Sequence, residues 1–283
     1  MRSESSVLII TNGLAAKSIL LDRTLYSRQK PNAWMIKTFL IINPFTVSNN
    51  EYRKEFVASI FKMLSELYKP DNYKCFVEIV QRNIDERMIL NEAVNLSQTI
   101  QIIVLNIFIK SFLNIDASNV LLNELPTLIN RLWIKKNDQV SRTQILNLLT
   151  QETGNFSGST AWQKIRRIMQ DHKSSMMIEL GLSDLDEEIG NALNIVIPGY
   201  ETMWRVVFYT LLELIRRPIL FNELRNSTSV ELLIPCVKET LRLYPPTKSI
   251  YRQNIQSGQE IRIAIDQIHR DIGVWGLDAN TFS

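Results

Sequence analysis

The chain contains little cysteine, glycine, proline or histidine. Its 283 residues include only 2 Cys, 9 Gly, 9 Pro and 2 His. Cys75 and Cys236 lie far apart, and neither has a second thiol or a histidine at zinc-binding spacing. This arrangement suggests neither a disulfide framework nor a structural metal site, so we expect a reducing compartment.

An excess of charge of one sign is also absent, as is a long uninterrupted apolar run. The 32 basic and 29 acidic residues leave a net charge of +3, so we expect no nucleic-acid partner. Residues 100–115 are the most apolar stretch, but Gln101, Asn106 and Lys110 interrupt it. They predict a buried core helix and not a membrane span. The opening run Val7–Ile10 is too short for a signal or transmembrane segment, and we expect neither.

Helical periodicity is what the sequence does contain. Apolar residues recur at spacings of three and four along most of the chain, and strand-like alternation is scarce. The fold class is therefore predicted as mainly α with a small β portion. The expected helices cover 14–21, 51–68, 72–91, 92–115, 120–133, 184–217 and 229–244, and the expected strands are a buried one over 7–10 and another over 261–265.

The polar stretch 137–175 is predicted as a flexible connection inside a single domain over 1–283. Its centre, Thr153–Ser159, contains two glycines and several hydroxyl side chains, which is typical of loops.

The segment Pro198–Thr202 combines unusual residues inside an expected helix. Pro198 cannot donate to the carbonyl of Asn194, which predicts a kink. Gly199 allows close approach to the backbone, and Thr202 and Glu201 provide a hydroxyl beside an acid. These residues favour either a ligand site or an ordinary packing kink with Glu201 facing solvent.

A second group of residues surrounds the next helix. Glu239 and Arg242 stand three residues apart and share a helix face, where they can pair or anchor another segment. Pro245-Pro246 then fixes an extended path that leads to Arg252. The stretch from His269 to Ser283 returns to loop and turn character.

Taken in order, these segments resemble the cytochrome P-450 superfamily. Pro198–Thr202 is similar to the Ala/Gly-Gly-x-Asp/Glu-Thr element of the distal I helix, with a departure at Pro198. Glu239–Arg242 matches the Glu-x-x-Arg of the K helix, and Leu243–Pro246 matches the Leu-Tyr-Pro-Pro that follows it. Earlier in the chain, 49–56 resembles the C helix, where the family often has Trp-x-x-x-Arg; here Asn49 replaces the Trp and Arg53 keeps the Arg.

The resemblance implies a haem-dependent monooxygenase that inserts oxygen into a small apolar molecule and receives electrons from a redox partner. It also assigns roles to residues: catalytic for Thr202 and Glu201, cofactor-binding for Gly199, Arg252 and Arg53, structural for Glu239 and Arg242. No residue of this chain is assigned as a metal ligand. The implied location is the cytoplasm, or the cytoplasmic face of the endoplasmic reticulum if a longer form carries an anchor.

One departure from the family concerns the iron ligand. The family's cysteine loop, Phe-x-x-Gly-x-Arg-x-Cys-x-Gly, comes after the stretch that here reaches Ser283, and no cysteine follows Cys236. The expectation is therefore a P-450-like fold that is incomplete at both ends and inactive as this chain. One alternative is a non-catalytic interaction or regulatory protein, in which the surface left uncovered by the missing cysteine loop would be apolar. The other is a helical protein unrelated to the family.

Overall fold

The computed structural model describes residues 7–67, 70–88, 95–151, 158–227 and 230–282. The strands are β1 Leu8–Ile10, β2 Tyr26–Ser27, β3 Ser249–Asn254 and β4 Glu260–Ala264. The helices are α1 Gly13–Leu21, α2 Gln29–Phe39, α3 Asn50–Leu67, α4 Pro70–Met88, α5 Leu96–Leu113, α6 Asn119–Ile134, α7 Gln139–Gln151, α8 Thr160–Asp171, α9 Lys173–Leu180, α10 Asp186–Gly190, α11 Leu193–Ile215, α12 Pro218–Asn226, α13 Leu233–Leu243, α14 Ile265–Ile268 and α15 Ile272–Trp275, followed by a 3-10 helix, Gly276–Asn280. The predicted class, mainly α with a small β portion, is confirmed.

The described residues divide into two compact units. The first unit contains the chain up to Pro31 and the chain from Glu201 onward, and the second contains Asn32–Tyr200. The prediction of a single domain over 1–283 stays a prediction.

The first unit is built around a four-stranded sheet with the order β1-β4-β3-β2. β1 pairs with β4 in parallel, and the other two pairings are antiparallel. One apolar core lies between the sheet and α1, where Ala16 and Ile19 pack near Ile261 and Ile263. A second core gathers Leu214, Cys236, Leu243 and Phe282.

The predicted buried strand at the start of the chain is an exposed edge strand. Leu8 is 50% exposed and Ile9 is 52% exposed, because β1 has a neighbour on one side only and its outer face is uncovered. Sequence reasoning also missed β2 and β3. β3, Ser249–Asn254, is mostly polar and so lacks the alternation that identified β4.

The second unit has α5 at its centre. Eleven of its side chains are buried, including Ile102, Leu105 and Ile109, so the predicted core helix over 100–115 is confirmed. By length and composition, α5 is also the helix among the described residues that is apolar enough to cross a membrane, and 56% of that window is buried inside the structure.

The long helix predicted from Asp184 to Arg217 is interrupted at Asn191. The Asn191 side chain accepts from the Leu193 amide at 3.0 Å and donates to the carbonyls of Phe39 and Leu40 at 2.8 and 3.1 Å. Its extended backbone ends α10, and its side-chain oxygen caps the start of α11. Side-chain bonding to a distant loop therefore overrides the helical periodicity.

The stretch 137–175 is helical where it is described. α7, α8 and the beginning of α9 occupy it, and Ile145, Ile165 and Met169 are buried there. Sparse apolar residues on one face of each helix explain why the composition looked like that of a loop. Most of the predicted flexible centre, residues 153–157, lies outside the described residues, as does Ser229, the predicted start of the last long helix.

Candidate functional site

The pair predicted on the K-helix motif forms a buried anchor in the first unit. Arg242 Nε donates to Glu239 Oε2 at 2.8 Å, and a second guanidinium nitrogen bonds the other carboxylate oxygen. Arg242 also donates to the carbonyls of Ala279 at 2.6 Å, Thr281 at 2.8 Å and His269 at 3.3 Å. Because its side chain is only 6% exposed, these charge-assisted bonds fix residues 269–281 onto α13.

Two other arginines lie close enough to Arg252 to affect its pKa. Arg252 lies on β3 and is 9% exposed, and Arg28 directly follows β2, the strand paired with β3. Burial lowers the pKa of Arg252 to about 10, and the positive charges of Arg28 and Arg23 act in the same direction. Among the described residues Arg252 makes no ion pair; its guanidinium donates to the Tyr251 carbonyl at 2.8 Å. A buried cation with two less buried cations nearby suits an anionic ligand.

Sequence reasoning identified Arg252 but missed Arg28 and Arg23. Their role depends on the pairing of β2 with β3, and β2 is only two residues long. The available signal was the density of basic residues in 23–30, which contains Arg23, Arg28 and Lys30.

Glu201 and Thr202 differ in their surroundings although they are adjacent on α11. Glu201 is buried, and its carboxylate accepts from Arg205 at 2.9 Å and from Trp204 Nε1 at 3.3 Å. Thr202 is exposed. The interpretation in which Glu201 faces solvent is wrong, because Arg205 and Trp204 compensate the buried charge.

In the second unit Gly199 lies against the ring of Phe108. A Cβ at position 199 would come within 2.8 and 2.9 Å of the Cζ and Cδ2 atoms of Phe108, and closer still to Cε2. Phe108 in turn stacks on Phe112, with 5.2 Å between ring centroids and planes 12° apart. The aromatic ring that approaches the Gly199 backbone thus belongs to α5.

The carbonyl that Pro198 leaves without its helical donor has another partner. Asn43 Nδ2 donates to the Asn194 carbonyl at 3.1 Å, while Asn194 Oδ1 accepts from the Ile42 amide at 2.7 Å. All three polar groups are buried. The proline therefore fits inside α11 because a neighbouring loop satisfies the freed acceptor.

Arg53 lies half-buried on α3, also in the second unit. Asn49, at the position of the family's Trp, caps this helix by accepting from the Tyr52 amide at 2.9 Å. The carboxylate of Glu179 accepts from the amides of Ser48 at 2.5 Å and Asn49 at 3.1 Å. An internal carboxylate therefore occupies the amino end of α3.

Neither cysteine is placed as a reactive thiolate. Cys236 lies in α13, and its thiol donates to the Leu232 carbonyl at 3.3 Å. Burial raises the pKa of this thiol, which favours its protonated form. Cys75 is a partly exposed free thiol in α4. Within the described ranges, no three His, Cys, Asp or Glu side chains group as metal ligands.

Comparison with known proteins gives a distant and partial relationship. A cytochrome P-450 of Oryza sativa subsp. japonica, cytochrome P-450 714C2, is 29% identical over 187 residues, which cover 56% of this chain and 34% of that protein. The match thus spans about a third of the length of this curated relative. No protein-family model matches the chain. A P-450-like relationship is the most that this similarity supports.

Proposed function

We propose that this chain carries part of the framework of a haem-dependent monooxygenase, and that Arg252 marks the place of the cofactor's carboxylates. The guanidinium of Arg252 carries this proposal, because it is buried, makes no ion pair among the described residues and feels the positive charges of Arg28 and Arg23. The residues fit the anionic edge of a haem, because guanidinium groups bind carboxylates with paired, charge-assisted hydrogen bonds. The partial similarity to a cytochrome P-450 supports it.

On this proposal the chain's residues would hold a haem and orient it. Arg252 and Arg28 would bind carboxylates, while Glu239 and Arg242 keep residues 269–281 in place. A bound haem would supply oxygen activation, for a small apolar substrate and with electrons from a redox partner. Glu201 would take part in proton transfer, and its carboxylate is held in place by the bonds that it accepts from Arg205 and Trp204.

We further propose that this chain by itself does not catalyse oxygen insertion. The supporting observation is that Cys236 is a buried thiol bonded within α13 and that Cys75 lies on α4 in the other unit. A haem held only through its carboxylates lacks the thiolate that promotes O–O cleavage.

The test is an absorbance titration of the whole chain with haem and with haem dimethyl ester, whose carboxylates are blocked. We expect the free acid to bind about tenfold more tightly or better, a difference near 1.4 kcal/mol. Arg252→Gln should remove that preference, whereas Arg225→Gln, at an exposed position of α12, should keep it. Equal affinity for acid and ester would refute the carboxylate assignment. A thiolate-type spectrum of the reduced carbon monoxide complex would refute the proposed inactivity.

A non-catalytic interaction protein is the second candidate function, and an exposed apolar segment favours it. Four large apolar side chains lie within six residues, with exposures of 60% for Ile272, 70% for Val274, 49% for Trp275 and 95% for Leu277. Apolar groups clustered so densely on a surface usually mark a contact with another molecule.

A further inference from the structure

Aromatic rings form a continuous series from the middle of α11 to the end of α13, within the first unit. Ring centroids are 6.4 Å apart between Trp204 and Phe208 and 5.2 Å apart between Phe208 and Tyr209. Tyr209 then stacks on Tyr244 with a centroid distance of 4.5 Å and planes 1° apart. Successive contacts of this kind connect the π systems of an indole and a phenol.

At each end of this series, an N–H or O–H group donates a hydrogen bond to a buried carboxylate. Trp204 Nε1–H donates to Glu201 at 3.3 Å, and the Tyr244 hydroxyl donates to Glu213 at 2.5 Å. The side chains of Glu201 and Glu213 are only 7% and 5% exposed. Both polar aromatic groups therefore face a proton acceptor that is largely shielded from water.

This pairing has a chemical consequence for one-electron oxidation. An indole or a phenol becomes much more acidic when it loses an electron, and loss of its proton then gives a neutral radical. A carboxylate at hydrogen-bond distance takes that proton over a short, fixed path. Tyr244 with Glu213 and Trp204 with Glu201 both satisfy this requirement.

We propose that Tyr244 is a redox site, and that it is oxidised by the Trp204 radical through the aromatic series. A one-electron oxidant of the metal-complex class takes an electron from Trp204, and the indole proton moves to Glu201. Tyr244 then reduces the Trp204 radical, the phenol proton moves to Glu213, and Glu201 returns its proton to the indole. The net change is one electron to the oxidant, a neutral phenoxyl radical at Tyr244 and a neutral acid at Glu213.

The charge state of the Tyr244–Glu213 pair suits this role. The hydrogen bond to Glu213, together with burial, raises the pKa of Tyr244, so the phenol keeps its proton at neutral pH. Burial opposes ionisation of Glu213, but the bonds from Tyr244 and Arg217 and the charges of Arg217 and Arg216 hold the Glu213 pKa below its ordinary value. The acceptor is therefore an ionised carboxylate before oxidation.

The experiment oxidises the whole chain with a photogenerated ruthenium(III) polypyridyl complex and follows radicals by time-resolved electron paramagnetic resonance. The parent carries Tyr73→Phe and Tyr251→Phe, because these phenols are 68% and 43% exposed and would react directly. We expect a persistent tyrosyl signal whose hyperfine pattern changes on ring deuteration of tyrosine. No haem is added, so the outcome is independent of the function proposed above.

Added substitutions in this parent decide the assignment. Tyr244→Phe, which keeps the stacked ring, should abolish the persistent tyrosyl signal and leave a tryptophan-centred one. Glu213→Gln should lower the yield of the tyrosyl radical severalfold, and Trp204→Phe should slow the formation of that radical.

A tyrosyl signal undiminished in Tyr244→Phe would overturn the assignment of the site, and an unchanged rate in Trp204→Phe would overturn the relay. Circular dichroism confirms folding, and Tyr26→Phe, on β2, is the matched control that should leave the signal intact.

Discussion

At the scale of single residues, Asn43 compensates for Pro198. Proline removes the donor that would reach the Asn194 carbonyl, and the Asn43 amide donates to that carbonyl at 3.1 Å instead. Sequence analysis predicted the loss of the bond from Pro198 alone. The partner was beyond prediction, since Asn43 is more than 150 positions away in the chain.

This compensation predicts coupling between the two residues. Asn43→Ala should lower the free energy of unfolding by about 1–3 kcal/mol, because it leaves a buried carbonyl unpaired. In a Pro198→Ala background the same change should cost about 1 kcal/mol less, since the new amide at 198 serves that carbonyl. Urea denaturation of the four proteins measures both effects. Strictly additive effects of the two substitutions would contradict the compensation. The control is Asn123→Ala, at an exposed position, which should lower the free energy of unfolding only slightly.

Gly199 provides a second prediction at this scale. Gly199→Ala places a methyl group against the Phe108 ring, so we expect a loss of about 1–3 kcal/mol despite the better helix propensity of alanine. Gly190→Ala is the matched control, because nothing lies within 4 Å of a Cβ there. Adding Phe108→Leu should recover part of the loss at 199 in thermal unfolding. If Gly199→Ala and Gly190→Ala are equally stable, Phe108 does not restrict this position.

At the scale of elements, long amphipathic helices were predictable and their interruptions were not. α3, α4, α5 and α6 match their predicted ranges within a few residues, because α3, α4 and α6 each have an apolar face and α5 is apolar nearly all round. The break at Asn191 and the exposure of β1 depend on partners distant in sequence. For the candidate site, sequence analysis supplied Glu239, Arg242 and Arg252, whereas Arg28 and the Tyr244–Glu213 pair required the three-dimensional arrangement.

The anchor on α13 yields a prediction about a whole segment. Arg242→Ala should release residues 269–281, because it removes three carbonyl bonds and the ion pair with Glu239. We expect a destabilisation of about 3–5 kcal/mol and faster hydrogen exchange in peptides from this segment. Arg242→Lys should restore only part of the protection, since an ammonium lacks the planar fork.

The control for this experiment is Arg225→Ala, at an exposed position on α12. It removes the same charge and should leave exchange in residues 269–281 unchanged. Equal exchange in Arg242→Ala and in the unmodified chain would mean that other contacts hold this segment.

At the scale of the whole molecule, net charge and surface polarity control association. The net charge of +3 on 283 residues gives little electrostatic repulsion between copies. The segment of Ile272, Val274, Trp275 and Leu277 concentrates exposed apolar area at one place on the first unit. Weak repulsion and a dense apolar segment together favour attachment of this surface to another molecule.

We therefore expect the isolated chain to associate reversibly as its concentration rises. The double substitution Ile272→Glu with Leu277→Lys should shift the weight-average mass in sedimentation velocity towards the monomer. It leaves the net charge unchanged, so the shift would report the loss of apolar area. Leu14→Lys on α1, where the native side chain is 81% exposed, is the control and should have little effect. If the control disperses the chain as well as the double variant does, association is general and residues 272–277 have no special part in it, which would weaken the interaction-protein candidate.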